Sequence, residues 1–248
     1  MGIRTGSEYV ESLRDGRTIY VNGERVRDVT QYDPFRGVIA TLASLYDLQH
    51  RRRDELTYPS PHDGKPVAAS FIVPNTLDLA NWRIRAEEVR ADFTFGLMGR
   101  MPDFCNALLA DVYAARDYAG QRDKRYADNL ANYYESARDH DWCLTHTLVD
   151  PQIDRSKGPA EQDDPFAALR IVRESDRGLI VRGAKMLSTL APFASFLIWG
   201  SLNYYLSQFI ISHLVRQSDK ETNTNHPLHS PNPIPSSPFL DCLGISGG

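Results

Sequence analysis

The chain has 248 residues, 42% of them apolar and 24% charged, with a formal net charge of -4. That is enough to fill the core of one large domain or two modest ones, and a pI near 6.0 lacks the electrostatic footprint of a nucleic-acid binder. Three cysteines at long spacings (Cys105, Cys143, Cys242) make neither a CxxC pair nor a disulfide framework, so the expected setting is a reducing, cytoplasmic one. Met1 to Glu8 contains no apolar run, which argues against a signal peptide. Secreted and collagenous classes are thereby excluded.

Residues 6–14 fit a short helix, with Ser7 as its N-cap and Asp15-Gly16 as its stop. Asn22-Gly23 between Thr18–Val21 and Glu24–Val26 predicts a hairpin, since both turn residues tolerate positive φ. After Pro34-Phe35, the spacing of Val38, Ile39, Leu42, Leu45 and Tyr46 is helical. The run Ala68–Pro74 reads as a strand or an extended connector. Thr76 caps a predicted long helix through Leu79, Trp82, Ile84 and Val89, and further helices fit 102–118 and 123–139. Strands are predicted over 142–149, 168–174 and 178–187, the last two linked by a hairpin at Ser175–Gly178. Helices first and strands after them predict an α+β arrangement. It divides into a helical domain (1–140), a partial β-rich domain (141–194), an apolar segment (195–216) and a tail (217–248).

Charge is distributed unevenly along the chain. Residues 1–189 hold 26 Lys+Arg and 29 Asp+Glu, whereas residues 190–248 hold 2 and 3. Met186 to Val215 contains no charged side chain, and its centre (196–211) approaches the length of a membrane helix. Asn203, Gln208 and three serines weaken that reading and favour a buried or misfolded soluble segment. From Gln217 onward, five prolines and few large apolar residues predict a disordered tail.

The sequence contains no P-loop, GxGxxG, HExxH, GxSxG or metal-ligand cluster, and its seven histidines are scattered. Any chemistry would therefore belong to a bound cofactor. Several blocks, in order, resemble the large oxygenase component of the 4-hydroxyphenylacetate 3-hydroxylase family. They are RTGSEYVESLRDGR (4–17), Gly23-Glu24, Asp28–Thr30 with Pro34–Gly37, Gly99–Asp103, Leu144–Thr147 with Asp150–Arg155, and GAKMLSTLAPFA (183–194). The resemblance implies an acyl-CoA dehydrogenase-like fold: a helical N-terminal domain, a β-barrel middle domain and a C-terminal helical bundle, over a chain about twice this length. Only the first domain and part of the barrel would then be present. The resemblance stops at Ala194, where the charge also collapses, and the simplest account is a frameshift, a retained intron or a misjoined gene after that point.

By the same resemblance, a separate reductase supplies reduced FAD, which reacts with O2 so that a phenol such as 4-hydroxyphenylacetate is hydroxylated ortho to its hydroxyl. Arg100 matches the family arginine near phenol and flavin, where its fixed positive fork would stabilise a phenolate; read alone, it is a surface arginine before a helix. His146 matches the histidine that hydrogen-bonds the substrate hydroxyl, and an imidazole titrates close enough to neutrality to share that proton. Phe104 stands where the family often has tyrosine, which keeps the ring wall and removes one hydroxyl. Ser188 and Thr189 match the loop that closes over substrate. Thr145, Thr147, Gln152 and Arg155 match the flavin-side segment; for the threonines ordinary strand preference is the alternative. Cys105 and Cys143 read as small buried hydrophobes, since too few ligands exist for the cluster of the related 4-hydroxybutyryl-CoA dehydratases. No metal, nucleic acid or membrane partner is expected, and the full-length form would be a homo-oligomer. Three functions compete: a truncated phenol hydroxylase of poor activity, a non-catalytic binding or oligomerisation remnant, and a related flavoprotein acting on another phenol.

Overall fold

The computed structural model describes residues 2–97, 101–147, 149–151, 153–158, 161–175, 178–186 and 188–199. Helix α1 (Gly6–Ser12) starts at a capping box: the Glu8 amide donates to Thr5 Oγ1 at 3.2 Å, and Glu8 Oε2 accepts from the Thr5 amide at 2.7 Å. The cap is thus Thr5 and not Ser7. Strands β1 (Ile19–Val21) and β2 (Glu24–Val26) form the expected hairpin, with Asn22 at φ 52° and Gly23 at φ 84°. A 3₁₀ turn at Asp33–Phe35 leads into α2 (Arg36–Arg51), which buries Ile39, Leu42, Leu45, Tyr46 and Gln49. Gly6 lets α1 lie directly on α2, because a Cβ there would sit 2.5 Å from the Ala43 carbonyl oxygen.

The short helix α3 (Arg53–Leu56) leads into a second hairpin, β3 (Thr57–Pro59) against β4 (Pro66–Ala68), in antiparallel register with Thr57 opposite Ala68. The apolar run expected to be a strand or connector from Ala68 is a strand end followed by a 3₁₀ turn (Ala69–Phe71). Residues 67–72 are all buried, so the run has no in–out alternation from which a strand could be read. Helix α4 (Leu77–Phe93) is capped by Thr76, whose Oγ1 accepts from the Leu79 amide at 3.2 Å. The helix foreseen over 102–118 is two, α5 (Pro102–Ala114) and α6 (Arg116–Gly120), separated at Ala115. Helix α7 (Lys124–Asp139) is capped by Asp123.

Strand β5 (Leu144–Thr147) pairs in parallel with β8 (Phe196–Trp199), and β6 (Arg170–Ser175) pairs antiparallel with β7 (Gly178–Arg182). β8 falls inside the segment that the sequence set apart after Ala194; here Phe196 and Ile198 pack on a core cluster containing Phe71, Cys105, Leu109, Tyr134 and Leu144. The rest of that segment and the tail lie outside the described residues. No described helix is long and apolar enough to cross a membrane. Cys105 and Cys143 are both buried, and burial pushes the Cys143 thiol up to about 12.

The passage from α7 into β5 is fixed by the N-terminal segment. The Trp142 amide donates to the Ala137 carbonyl at 3.0 Å and Asp141 adopts φ 49°, a left-handed helix end that Asp tolerates better than most residues. Arg4 then binds Asp141 twice, its amide to Oδ2 (3.0 Å) and its Nε to the carbonyl oxygen (2.8 Å), while its Nη2 donates to Tyr46 Oη (2.9 Å), which itself donates to that carbonyl. The guanidinium lies over the Tyr46 ring, 4.9 Å from its centroid. Burial pushes the Asp141 carboxyl up, while Arg4 and Gln49 pull it back only in part. Burial also opposes the Arg4 charge, but Tyr46 and Asp141 more than offset it. Both groups are thus raised, so the enclosed carboxyl is pushed toward its neutral form while the guanidinium is held charged. Desolvation governs the pair, which therefore fixes geometry more than it adds net stability.

Two consequences are measurable by chemical denaturation. Arg4→Ala leaves Asp141 buried and uncompensated and should cost about 3–5 kcal/mol; a loss below about 1 kcal/mol, as for an exposed pair, would contradict the geometry. Gly6→Ala should cost about 1–3 kcal/mol, because the atom it meets is backbone and cannot turn aside; an unchanged midpoint would mean that α1 does not rest on α2 as described.

Candidate active site

β5 supplies the centre of the site. Alternation along a strand puts Leu144 and His146 on one face and Thr145 and Thr147 on the other. Leu144 joins the core cluster on Phe71 and Leu109. The His146 ring, half-buried, meets the Phe104 ring edge to face, with centroids 5.4 Å apart and planes at 88°. Phe104 lies in the first turn of α5, which Pro102 opens at a position where a missing amide proton costs nothing. Its amide donates to the Met101 carbonyl at 3.1 Å, and the residue is 43% exposed, so the Phe104–His146 pair forms a wall that a planar ligand could reach.

On the other face, both threonines are buried. The Thr145 hydroxyl donates to the Thr189 carbonyl, and Thr147 Oγ1 donates to the Met186 carbonyl at 2.9 Å. Their protons are thus committed to the chain, and each oxygen retains only acceptor capacity for a ligand. A Met186 amide to Val149 carbonyl bond (2.8 Å) continues the pairing between the two segments. Ser188 Oγ is buried without a hydrogen-bond partner among the described residues. Arg155 is exposed on the turn within 153–158. Arg100 and Gln152 lie outside the described residues. The structure therefore joins Phe104 to His146 and Thr145 to Thr189.

The sequence did not single out an ion pair that holds the two segments together. Lys185 Nζ lies 2.7 Å from Asp150 Oδ1, with the side chains 5% and 13% exposed. Both residues sit inside the motif blocks, but 35 positions apart no spacing rule connects them. A second omission lies on the far side of Phe104. The Glu87 carboxyl on α4 is pushed up to about 8 by burial and then by a hydrogen bond with Asp103, the residue before Phe104.

Comparison with known proteins places this arrangement. The family model for the 4-hydroxyphenylacetate 3-hydroxylase N terminal matches residues 5–215. The match runs past Ala194, where the motif blocks end, and takes in β8. The oxygenase component of 4-hydroxyphenylacetate 3-monooxygenase from Geobacillus sp. (strain PA-9) is 40% identical over 190 residues, covering 76% of this chain and 38% of that protein. The counterpart from Thermus thermophilus is 39% identical over 201 residues, covering 80% and 40%. A solved structure of such an oxygenase component complexed with FAD and 4-hydroxyphenylacetate superposes with TM-score 0.71 at 40% identity, over 78% of this chain and 40% of that one. The chain thus spans about two fifths of the length of these relatives. An oxygen-tolerant 4-hydroxybutyryl-CoA dehydratase from N. maritimus, 24% identical, shares the fold with TM-score 0.70. With its helices, its β5 segment and its motif blocks in the same order, the chain belongs to the 4-hydroxyphenylacetate 3-hydroxylase family, over that family's N-terminal part.

Proposed function

We propose that this chain forms the N-terminal part of a flavin-dependent aromatic monooxygenase, which uses reduced FAD from a separate reductase and O2 to hydroxylate a phenol ortho to its hydroxyl. The reading rests chiefly on the edge-to-face contact of Phe104 with His146, which makes an aromatic wall beside a group able to take a phenolic proton. The relatives named above, one of them complexed with FAD and 4-hydroxyphenylacetate, support it. The threonine oxygens of β5 retain acceptor capacity and so fit a flavin, while Ser188 Oγ, a buried hydroxyl with no hydrogen-bond partner among the described residues, fits the substrate side.

Thr145, Thr147 and Arg155 would hold the flavin, joined by Gln152 through the resemblance, and Ser188 and Thr189 would line the loop that closes over the substrate. Bound reduced FAD would supply the electrons that activate O2. The chain's own residues have three tasks. Phe104 and the apolar side of β5 exclude water and orient the ring. His146 accepts or shares the phenolic proton, which makes the ortho carbon electron-rich. Arg100, by resemblance, would stabilise the resulting phenolate. A cytoplasmic setting and a homo-oligomer follow from the dispersed cysteines and the resemblance, as does a division into a helical part to residue 140 and a β-rich part beyond it.

Phe104 favours a second reading of the substrate. With no hydroxyl at that wall, one polar contact to the ring substituents is missing, and a phenol other than 4-hydroxyphenylacetate becomes the better fit.

Incubation with reduced FAD, O2 and a panel of para-substituted phenols, with catechols quantified by chromatography, tests both readings. His146→Ala should lower product formation by about 10²–10⁴-fold, the range of a general base. Phe104→Tyr should shift preference toward 4-hydroxyphenylacetate. Equal rates with His146→Ala would refute the reading, and catechol from none of the phenols would favour a non-catalytic remnant.

A further inference from the structure

Between α2, α4, α5 and the residue that closes α7 lies a cavity of about 30 Å³, lined among others by Gln49, Ser70, Arg90, Asp103, Asn106 and Asp141. Several acceptor oxygens in and around it are buried without a hydrogen-bond donor among the described residues: Gln49 Oε1, Glu87 Oε2, Asp103 Oδ1 and Asn106 Oδ1. Buried acceptors left in this state are costly, and native proteins rarely keep several together. Two of them belong to carboxyl groups in contact, Glu87 on α4 and Asp103 on α5. Two ionised carboxylates side by side would repel, whereas one proton between them satisfies both orphaned oxygens.

We propose that Glu87 and Asp103 share a single proton, and that this carboxyl–carboxylate bond holds the first turn of α5, with Phe104, against α4. Phe104 is the next residue after Asp103, so the bond positions the aromatic wall without touching the ligand. Its meaning for a phenol pocket rests on the functional reading above; the clamp itself does not.

Among the described residues, the charged groups around the pair are few. On α4, Arg90 Nη1 donates to Glu87 Oε1 at 3.0 Å and occupies the one Glu87 oxygen not facing the proton. After α7, Asp141 faces the cavity and is held by Arg4. From α2 come Gln49, which does not titrate, and Tyr46, which burial keeps protonated. The sign of the effect follows. The folded-state carboxyl of Glu87 holds its proton from the ordinary value of 4.5 up to about 8. Its contribution is therefore complete below the ordinary value and is lost as pH rises toward about 8. Asp141 is raised too, so part of any slope belongs to it, and only a difference between variants isolates Glu87.

The test compares the chain with Glu87→Gln, Asp103→Asn and Glu88→Gln, an exposed neighbour on α4, from pH 5 to pH 8.5. The readouts are chemical denaturation and the hydrogen-exchange protection of the Phe104 amide. Glu87→Gln supplies a permanent donor to Asp103. Relative to wild type, its folding constant should gain by up to about tenfold per pH unit over the window, with Phe104 protection that no longer falls as pH rises. Asp103→Asn should weaken the wild-type slope, and Glu88→Gln should leave it intact. Parallel pH dependences for wild type and Glu87→Gln, with pH-independent protection at Phe104, would overturn the proposal. If the predicted slope and protection appear while neither reduced FAD nor any phenol of the panel binds at any pH, the clamp stands and the functional reading falls.

Discussion

A guanidinium placed over a tyrosine ring, with an enclosed carboxylate against it, determines where the sheet begins. Arg4 reaches Asp141 across 137 positions of chain, and the contact is made where α7 has just ended in a left-handed residue. Enclosing both charges costs hydration, which the Coulomb attraction repays only in a narrow geometry. What such a pair contributes is position: one backbone path from α7 into β5 satisfies the amide, the carbonyl, the carboxylate and Tyr46 together. Nearby bonds extend the same tie. Tyr9 Oη donates to the Phe193 carbonyl at 3.0 Å, and Arg17 reaches the Pro192 and Ala194 carbonyls at 2.8 and 3.0 Å. The N-terminal segment thus grips the starts of both β5 and β8, at one end of their parallel pairing.

The candidate site inherits its geometry from that grip. The Cys143 amide donates to Ser195 Oγ at 3.2 Å, and the Ser195 amide to the Cys143 carbonyl at 2.7 Å, which sets the parallel register of Leu144 with Phe196. That register turns His146 toward α5 and the threonines toward the Met186–Thr189 segment. A one-residue slip would exchange the two faces and place the imidazole among backbone carbonyls. The shared proton proposed between Glu87 and Asp103 acts at the opposite border, on the helix that carries Phe104. The aromatic wall therefore has one member fixed by a charge pair and the other by a carboxyl pair.

Local chemistry made much of the fold legible. Asn22-Gly23, the Thr76 cap and the start at Asp123 each follow from one or two residues whose backbone preference is strong. Thr5-Gly6-Ser7-Glu8 carried the capping-box spacing, and choosing Ser7 overlooked the glutamate three places after Thr5. The β3–β4 turn does hold a signal, Asp63-Gly64 with Gly64 at φ 72°, but β4 runs into a stretch buried throughout, which hides the strand alternation. β8 lies in the segment after Ala194 whose lack of charge suggests a frameshift, a retained intron or a misjoined gene; a strand packed on a core cluster also carries no charge, for ordinary reasons. In the site, Phe104 and His146 were visible only through the family resemblance. Nothing in their 42-residue separation, nor in the 35 residues between Asp150 and Lys185, announces a contact. Such pairings are made by tertiary packing, which periodicity does not encode.

The central claim is that this segment builds a surface for reduced flavin beside an aromatic wall. Anaerobic titration of the purified chain with chemically reduced FAD, followed by calorimetry, addresses it directly. The account predicts saturable binding at one site per chain, retained in His146→Ala and weakened in Arg4→Ala, which releases the strand carrying the site. Absence of saturable binding by a chain that is folded by circular dichroism would contradict it.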